Sequence, residues 1–363
     1  MSKKKIRVIL DSHLGELFNI SPMFFYWNDK KELSEFDLEF IYIGSSILHE
    51  DIIRELSFLE KNNFSFKKIQ IVSKTLGVIS KGINFLRFAA YIMLRKKPYL
   101  TLVPYDQKQI FYSLVSCRSE MIAAFSHTSG EEVYSSDFYK NKLLRKNKDI
   151  PLLIKNPLGK EYGKSLGYRE FVVTGNYSSN TDFHKFLSKE TNLTTEYCIF
   201  SLGKQDKMFL DSAWEAAHND ILQSMVDAGI KNTNIKLHPS QDMNDFEELI
   251  IRYEGKIDIN FVYGNPIKAC NSHRVFINVL TSAGHHALQL GKQVCNYAPI
   301  ELRDQVKEFG NDPYPYSFTS ASEITNKSDL KAWLQLSKKD KKLEINNKNM
   351  YLSLKDLCKM LSR

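Results

Sequence analysis

Long apolar runs, paired cysteines and low-complexity tracts are all missing from this sequence. The most hydrophobic helical stretch, FLRFAAYIML, is interrupted by Arg87 and closed by Arg95, so it is too short to cross a bilayer. The opening MSKKKIRVILDS contains only the strand-sized apolar run IRVIL, not the longer core of a secretory leader. The cysteines (Cys117, Cys198, Cys270, Cys295 and Cys358) are widely spaced and form no C-x-x-C pair. That pattern excludes a disulfide frame or a zinc knuckle and predicts reduced, buried thiols. No internal repeat appears. A cytoplasmic chain, soluble or resting on the inner face of the membrane, is the expectation.

What is present is a globular composition, with 43% hydrophobic and 12% aromatic residues in 363. That is enough for two cores of about 150 to 200 residues each. The aromatics fall within apolar segments and do not alternate with arginines, so they read as core and not as a nucleic-acid surface. The formal charge of +8 is spread over short clusters, Lys3 to Lys5, Arg95 to Lys97, Arg145 to Lys148 and Lys338 to Lys342, expected to be solvated faces. Where such clusters flank an apolar helix they also suit an anionic membrane.

Strand-like and helix-like segments alternate along the chain. KIRVIL, FDLEFIYIG, KKIQIVS, LTLVPYD and MIAAFS read as strands in the first half, and 49–62 and 76–95 as amphipathic helices. After a polar stretch at 176–196 the alternation resumes with CIFSLG, NIKLH, IDINFVYG, VFINVLTS and QVCNYA. The implied class is α/β, two Rossmann-like units with parallel sheets. The expected division is 1–185, 186–335, and a helical tail at 336–363 that packs on the first domain.

Parallel sheets bind ligands beyond the carboxyl ends of their strands, which directs attention to two loops of the second half. In NTNIKLHPSQDM, Lys236 brings positive charge, His238 a directional donor and Pro239 a rigid turn. After VFINVL, the run Thr281-Ser282-Ala283-Gly284 opens a helix with hydroxyls and free N–H groups. Together these residues suit a nucleoside phosphate. Near-miss motifs are set aside. GKEYGKS (159–165) has three residues between its glycines where a phosphate loop needs four. The overlapping GKSLG follows Lys160, Glu161 and Tyr162 in place of a buried strand, so a basic loop is expected. His285 and His286 are adjacent, not one turn apart, so a helix cannot aim both at one metal; one is expected to pack.

The pairing of KLHPSQ with VLTSAGHHALQLGKQV resembles the His-Pro and Ser/Thr motifs of bacterial sialyltransferases and of Kdo transferases. Those enzymes have the GT-B fold, two Rossmann-like domains facing a cleft with a final helix crossing back. The resemblance covers 195–300 well and the first half in outline. It implies an inverting, metal-independent glycosyltransferase moving a sialic-acid-like or Kdo-like sugar from a CMP donor to a surface glycan or lipid-linked acceptor. His238, Thr281, Ser282 and Ala283 would then hold the donor phosphate, with Gly203 and Lys204 near the nucleotide. The absence of any D-x-D fits metal independence. The family's acid-acid-glycine triplet is not matched: His127-Thr128-Ser129 stands there, so His127 is the preferred general base. Glu131, Glu132 and the Asp11/His13 loop are its rivals. Alternatives on the same scaffold are CDP-polyol transfer and UDP-sugar transfer or epimerisation; a non-catalytic scaffold is the remaining one. No cofactor and no nucleic acid is expected.

Overall fold

The computed structural model describes residues 3–10, 14–44, 50–61, 64–72, 78–105, 107, 109–125, 148–155, 157, 159–177, 180, 183, 195–201, 211–238, 241, 243–281, 283–308, 321–337 and 351–362. These residues fall into two units. The first runs β1 (Lys4–Leu10), α1 (Leu14–Asp29), β2 (Phe36–Gly44), α2 (Glu50–Lys61), β3 (Phe66–Val72), α3 (Val78–Leu94), β4 (Leu100–Pro104), α4 (Gln109–Cys117), β5 (Met121–Phe125), β6 (Leu152–Ile154), α5 (Gly159–Ser165) and β7 (Phe171–Val173). Its strands form one parallel sheet in the order β3-β2-β1-β4-β5-β6-β7. The last five residues of β1 and all of β4 are buried, as expected of strands covered on both faces by helices.

The second unit runs β8 (Tyr197–Ser201), α6 (Asp211–Asp227), β9 (Asn232–Lys236), α7 (Glu247–Tyr253), β10 (Asp258–Val262), α8 (Pro266–Ser272), β11 (Val275–Val279), α9 (Ala283–Gln289), β12 (Gln293–Tyr297), α10 (Ile300–Glu308), β13 (Ser322–Ile324) and α11 (Lys327–Ser337). The sheet order is β10-β9-β8-β11-β12-β13, all parallel. Ile199, Trp214, Ile235, Phe246, Ile277 and Tyr297 are among the buried residues of its core. In each unit the chain lays three strands outward and then returns to the other side of its first strand, so that β1 neighbours β4 and β8 neighbours β11, the doubly wound pattern expected of Rossmann-like units.

The final helix, α12 (Leu354–Leu361), belongs to the first unit. Ser353 caps it by accepting from the Asp356 N–H at 3.0 Å, and Leu354 and Leu357 are buried. The segment entering it is tied down from several elements. The Leu352 carbonyl accepts from Trp27 Nε1 at 3.1 Å and from the Tyr177 hydroxyl at 2.5 Å, and the Leu352 N–H donates to the Thr174 carbonyl at 2.9 Å.

One ion pair is fully inside the first sheet. Neighbouring strands place Arg7 opposite Glu39, and Arg7 Nε donates to Glu39 Oε2 at 2.6 Å. Lys5 and the Tyr91 hydroxyl take the other oxygen. Burial by itself would raise the Glu39 carboxyl, but Arg7, then Lys5, outweigh it and hold the group below its usual 4.5.

Several sequence expectations need correcting. Residues 159–165 are the helix α5 and not a loop. Lys148 is not solvated: its Nζ donates to the Tyr105 carbonyl at 2.6 Å and lies 4.7 Å from the Tyr168 ring centre. Cys117 is exposed, while Cys198, Cys270, Cys295 and Cys358 are buried, and all are free thiols. Helix α4 and the three-residue strands β6 and β13 are too short to stand out in the sequence.

Candidate functional site

Strand register brings the second unit's candidate loops to one edge. Phe200 of β8 pairs with Lys236 of β9 on one side and with Asn278 of β11 on the other. The carboxyl ends of β8, β9 and β11 therefore lie side by side, the outer two about 10 Å apart at the ordinary strand spacing. Strands β8 and β11 are also where the winding reverses, the crevice in which doubly wound sheets bind ligands.

At the end of β9, Lys236 is buried at 5% exposure, and its Nζ donates to the Leu237 carbonyl at 2.5 Å. The turn after it is closed twice: the His238 N–H donates to Gln241 Oε1 at 2.6 Å, and the Gln241 N–H donates to the His238 carbonyl at 2.9 Å. The His238 imidazole is pushed down to about 4, first by burial and then by the Lys236 charge. It is a neutral ring at pH 7, able to donate one N–H without carrying charge.

At the end of β11, Leu280 takes a left-handed backbone, φ 56°, while buried. A non-glycine residue in that region costs about 1–2 kcal/mol, and such strain collects at functional turns. Thr281 follows, and its Oγ1 accepts from the Ala283 N–H at 3.2 Å to start α9. Its second residue, Gly284, lies against the Asn278 side chain. Asn278 begins a polar ladder across the sheet. Its Nδ2 donates to Asn296 Oδ1 at 3.0 Å, Asn296 Nδ2 donates to Glu323 Oε1 at 2.6 Å, and Arg303 donates to Glu323 Oε2 at 2.6 Å. Asn278 Oδ1 is buried with no hydrogen-bond partner among the described residues. The sequence reading missed Asn278 and Leu280. An asparagine inside the apolar run VFINVL was a readable signal; the backbone of Leu280 had none.

Of the sequence-predicted residues, Lys236, His238, Thr281 and Ala283 thus sit at one sheet edge. Gly203, Lys204, Pro239, Ser282, His13, His127, Glu131 and Glu132 lie outside the described residues. The strands that precede the histidines in the sequence are described: β1, before His13, lies at the winding reversal of the first sheet, and β5 comes before His127. His286 is buried, as one of the adjacent pair was expected to be. Among the described residues no group of three His, Cys, Asp or Glu side chains could hold a metal ion.

The carboxyl edge of the first unit's sheet has its own recess, of about 40 Å³, lined by Asn19, Met23, Phe125, Lys155, Thr174 and Asn176 among others. This exceeds the roughly 10–15 Å³ that one water requires. Lys155 Nζ donates to Asn19 Oδ1 at 2.9 Å on its wall. The sequence reading missed these residues because they come from four separate segments.

No protein-family model and no curated protein matches the chain. Solved structures do. The UDP-GlcNAc 2-epimerase of Methanocaldococcus jannaschii, solved with UDP-GlcNAc and UDP, is 15% identical, with 93% of this chain and 94% of that one covered and a TM-score of 0.58. The S. aureus MnaA–UDP structure is 15% identical over 94% and 90%, with a TM-score of 0.57. Arabidopsis thaliana UGT89C1 complexed with UDP-L-rhamnose is 8% identical over 96% and 92%, with a TM-score of 0.54. At such identities the likeness is one of fold, and the fold is of GT-B type, two Rossmann-like α/β units in one chain.

Proposed function

We propose that the chain is an enzyme acting on a nucleotide-linked sugar, with UDP-sugar transfer or epimerisation as its reaction. The observation that carries this is the grouping of Lys236, His238 and Thr281 at the carboxyl edge beside the winding reversal. It occurs in a fold whose solved neighbours are described with UDP or UDP-sugars. In this reading Lys236 supplies charge and the neutral His238 donates one N–H to a phosphate oxygen. Thr281, Ser282 and Ala283 offer hydroxyl and backbone donors, Pro239 stiffens the turn, and Gly203 and Lys204 border the nucleotide. Fixed donors of this kind stabilise charge developing on a departing phosphate. For transfer, His127, or else His13, supplies the base, and the partner substrate is a glycan or glycolipid hydroxyl. The reading calls on no metal.

A second reading keeps a CMP-ulosonic-acid donor. It is favoured by one specific observation, the pairing of KLHPSQ with VLTSAG at the spacing of the sialyltransferase-like motifs.

Thermal unfolding with UDP, UDP-GlcNAc, CMP and CDP separates the readings. A nucleotide at a hundred times its Kd stabilises by about 2.7 kcal/mol. The expected result is a shift with UDP or UDP-GlcNAc that His238→Ala and Lys236→Ala abolish. A shift with CMP alone selects the second reading, and one with CDP alone selects polyol-phosphate transfer. No shift with any of them removes the nucleotide assignment and leaves the scaffold.

A further inference from the structure

Basic residues run along the whole chain, but one stretch holds them with no acidic residue between. Residues 61–105 hold nine Lys and Arg and no Asp or Glu, more than the +8 of the whole sequence, so the remainder is slightly acidic. Helix α3 runs through this stretch. One of its faces is ordinary core: Phe88 and Ile92 are buried, and Phe88 stacks on Phe111 of α4 at 5.1 Å.

The opposite face is apolar too. Leu86, Ala90 and Leu94 recur at one-turn spacing, and Met93 lies beside them. Leu86 is 68% exposed, Met93 51% and Leu94 84%, and Ile110 on the neighbouring α4 is 64% exposed. A surface helix normally gives its outward face to polar groups. Here the outward apolar stripe is bordered by Arg87 and ends at the exposed run Arg95, Lys96 and Lys97. The helix end is held in place by Arg118, whose Nη2 donates to the Met93 carbonyl at 2.9 Å and the Arg95 carbonyl at 2.8 Å.

We propose that this face of α3 docks on an anionic phospholipid surface, with Leu86, Met93 and Leu94 entering the headgroup boundary while Arg87, Arg95, Lys96 and Lys97 pair with lipid phosphates. Charge complementarity selects this occupant. Each basic group near such a surface adds to binding, and apolar side chains on a cationic helix enter the boundary without spanning it. Among the described residues no helix is long and apolar enough to span. The docking goes beyond the nucleotide-sugar reading and does not depend on it.

The test is co-sedimentation of the full chain with vesicles of phosphatidylcholine alone and of phosphatidylcholine mixed with phosphatidylglycerol. The expected result is partition into the mixed vesicles that weakens with added salt, and little into the neutral ones. Leu86→Ser with Leu94→Ser is expected to cut partition by about a hundredfold, and Arg95→Glu with Lys96→Glu and Lys97→Glu by more than that. These side chains are exposed, so unfolding temperatures and nucleotide shifts should match the parent, which separates failure here from failure of the nucleotide reading. No partition into mixed vesicles overturns the proposal, as does partition unchanged by the leucine pair. Light scattering that shows a dimer broken by the leucine pair also overturns it and makes the face an interface between copies.

Discussion

Gly284 rests on the side chain of Asn278: a Cβ at 284 would come within 2.6 Å of Asn278 Cγ and 2.8 Å of its Oδ1. Asn278 cannot swing away without releasing Asn296, so the first turn of α9 and the polar ladder fix one another.

The expected outcome for Gly284→Ala is a loss of about 1–3 kcal/mol in stability, the usual cost of overpacking. Asn278→Ala should cost about 1–3 kcal/mol through the unpaired Asn296 oxygen. The double variant should cost less than the sum, because alanine at 278 makes room for the new methyl. Urea denaturation of the three proteins measures this coupling.

Two imidazoles give a pH signature. His238 is held down to about 4, first by burial, and so is His218, stacked on Trp214 at 3.9 Å. Between pH 6.5 and about 4 the unfolded chain takes up protons that these folded rings refuse, so stability is complete above 6.5 and falls as the pH drops through that window. His238→Gln should make the fall shallower, with His218 supplying what remains. Nucleotide affinity should be flat in His238 protonation from pH 6 to 8. Calorimetry across the range tests both.

Glu39→Gln removes the buried charge that Arg7 faces. Breaking one half of such a pair costs about 3–5 kcal/mol, and the variant is expected to unfold at much lower denaturant. In the parent, the lowered Glu39 carboxyl stabilises the fold above its usual 4.5. That contribution is lost as the pH falls through its lower folded value, and the variant should not show it.

The chain cut before residue 351 should lose stability in its first unit. Trp27 Nε1 and the Tyr177 hydroxyl would lose their carbonyl acceptor, and the surface under Leu354 and Leu357 would open to water. Ser353→Ala is the milder version, at about 1 kcal/mol for a lost cap. Limited proteolysis and thermal unfolding of the two variants rank these effects.

The strand-length apolar runs IRVIL, CIFSLG and VFINVL, separated by helical patterns, are sufficient to specify two parallel α/β units. Burial on both faces demands continuous hydrophobicity, and that is written locally. The same local chemistry marks Lys236, His238 and Thr281 as strand-end residues. Their neighbourhood is another matter. That β9 and β11 flank β8 is a fact of strand order, set by how crossovers wind, and no single segment encodes it. The partner of Arg7 and the burial of Lys148 depend on residues brought together from far along the chain, and no local residue type announces the left-handed turn at Leu280. The outward apolar face of α3 was hidden too: 76–95 reads as an amphipathic helix, and which of its apolar residues stay outside is settled only once the others have packed.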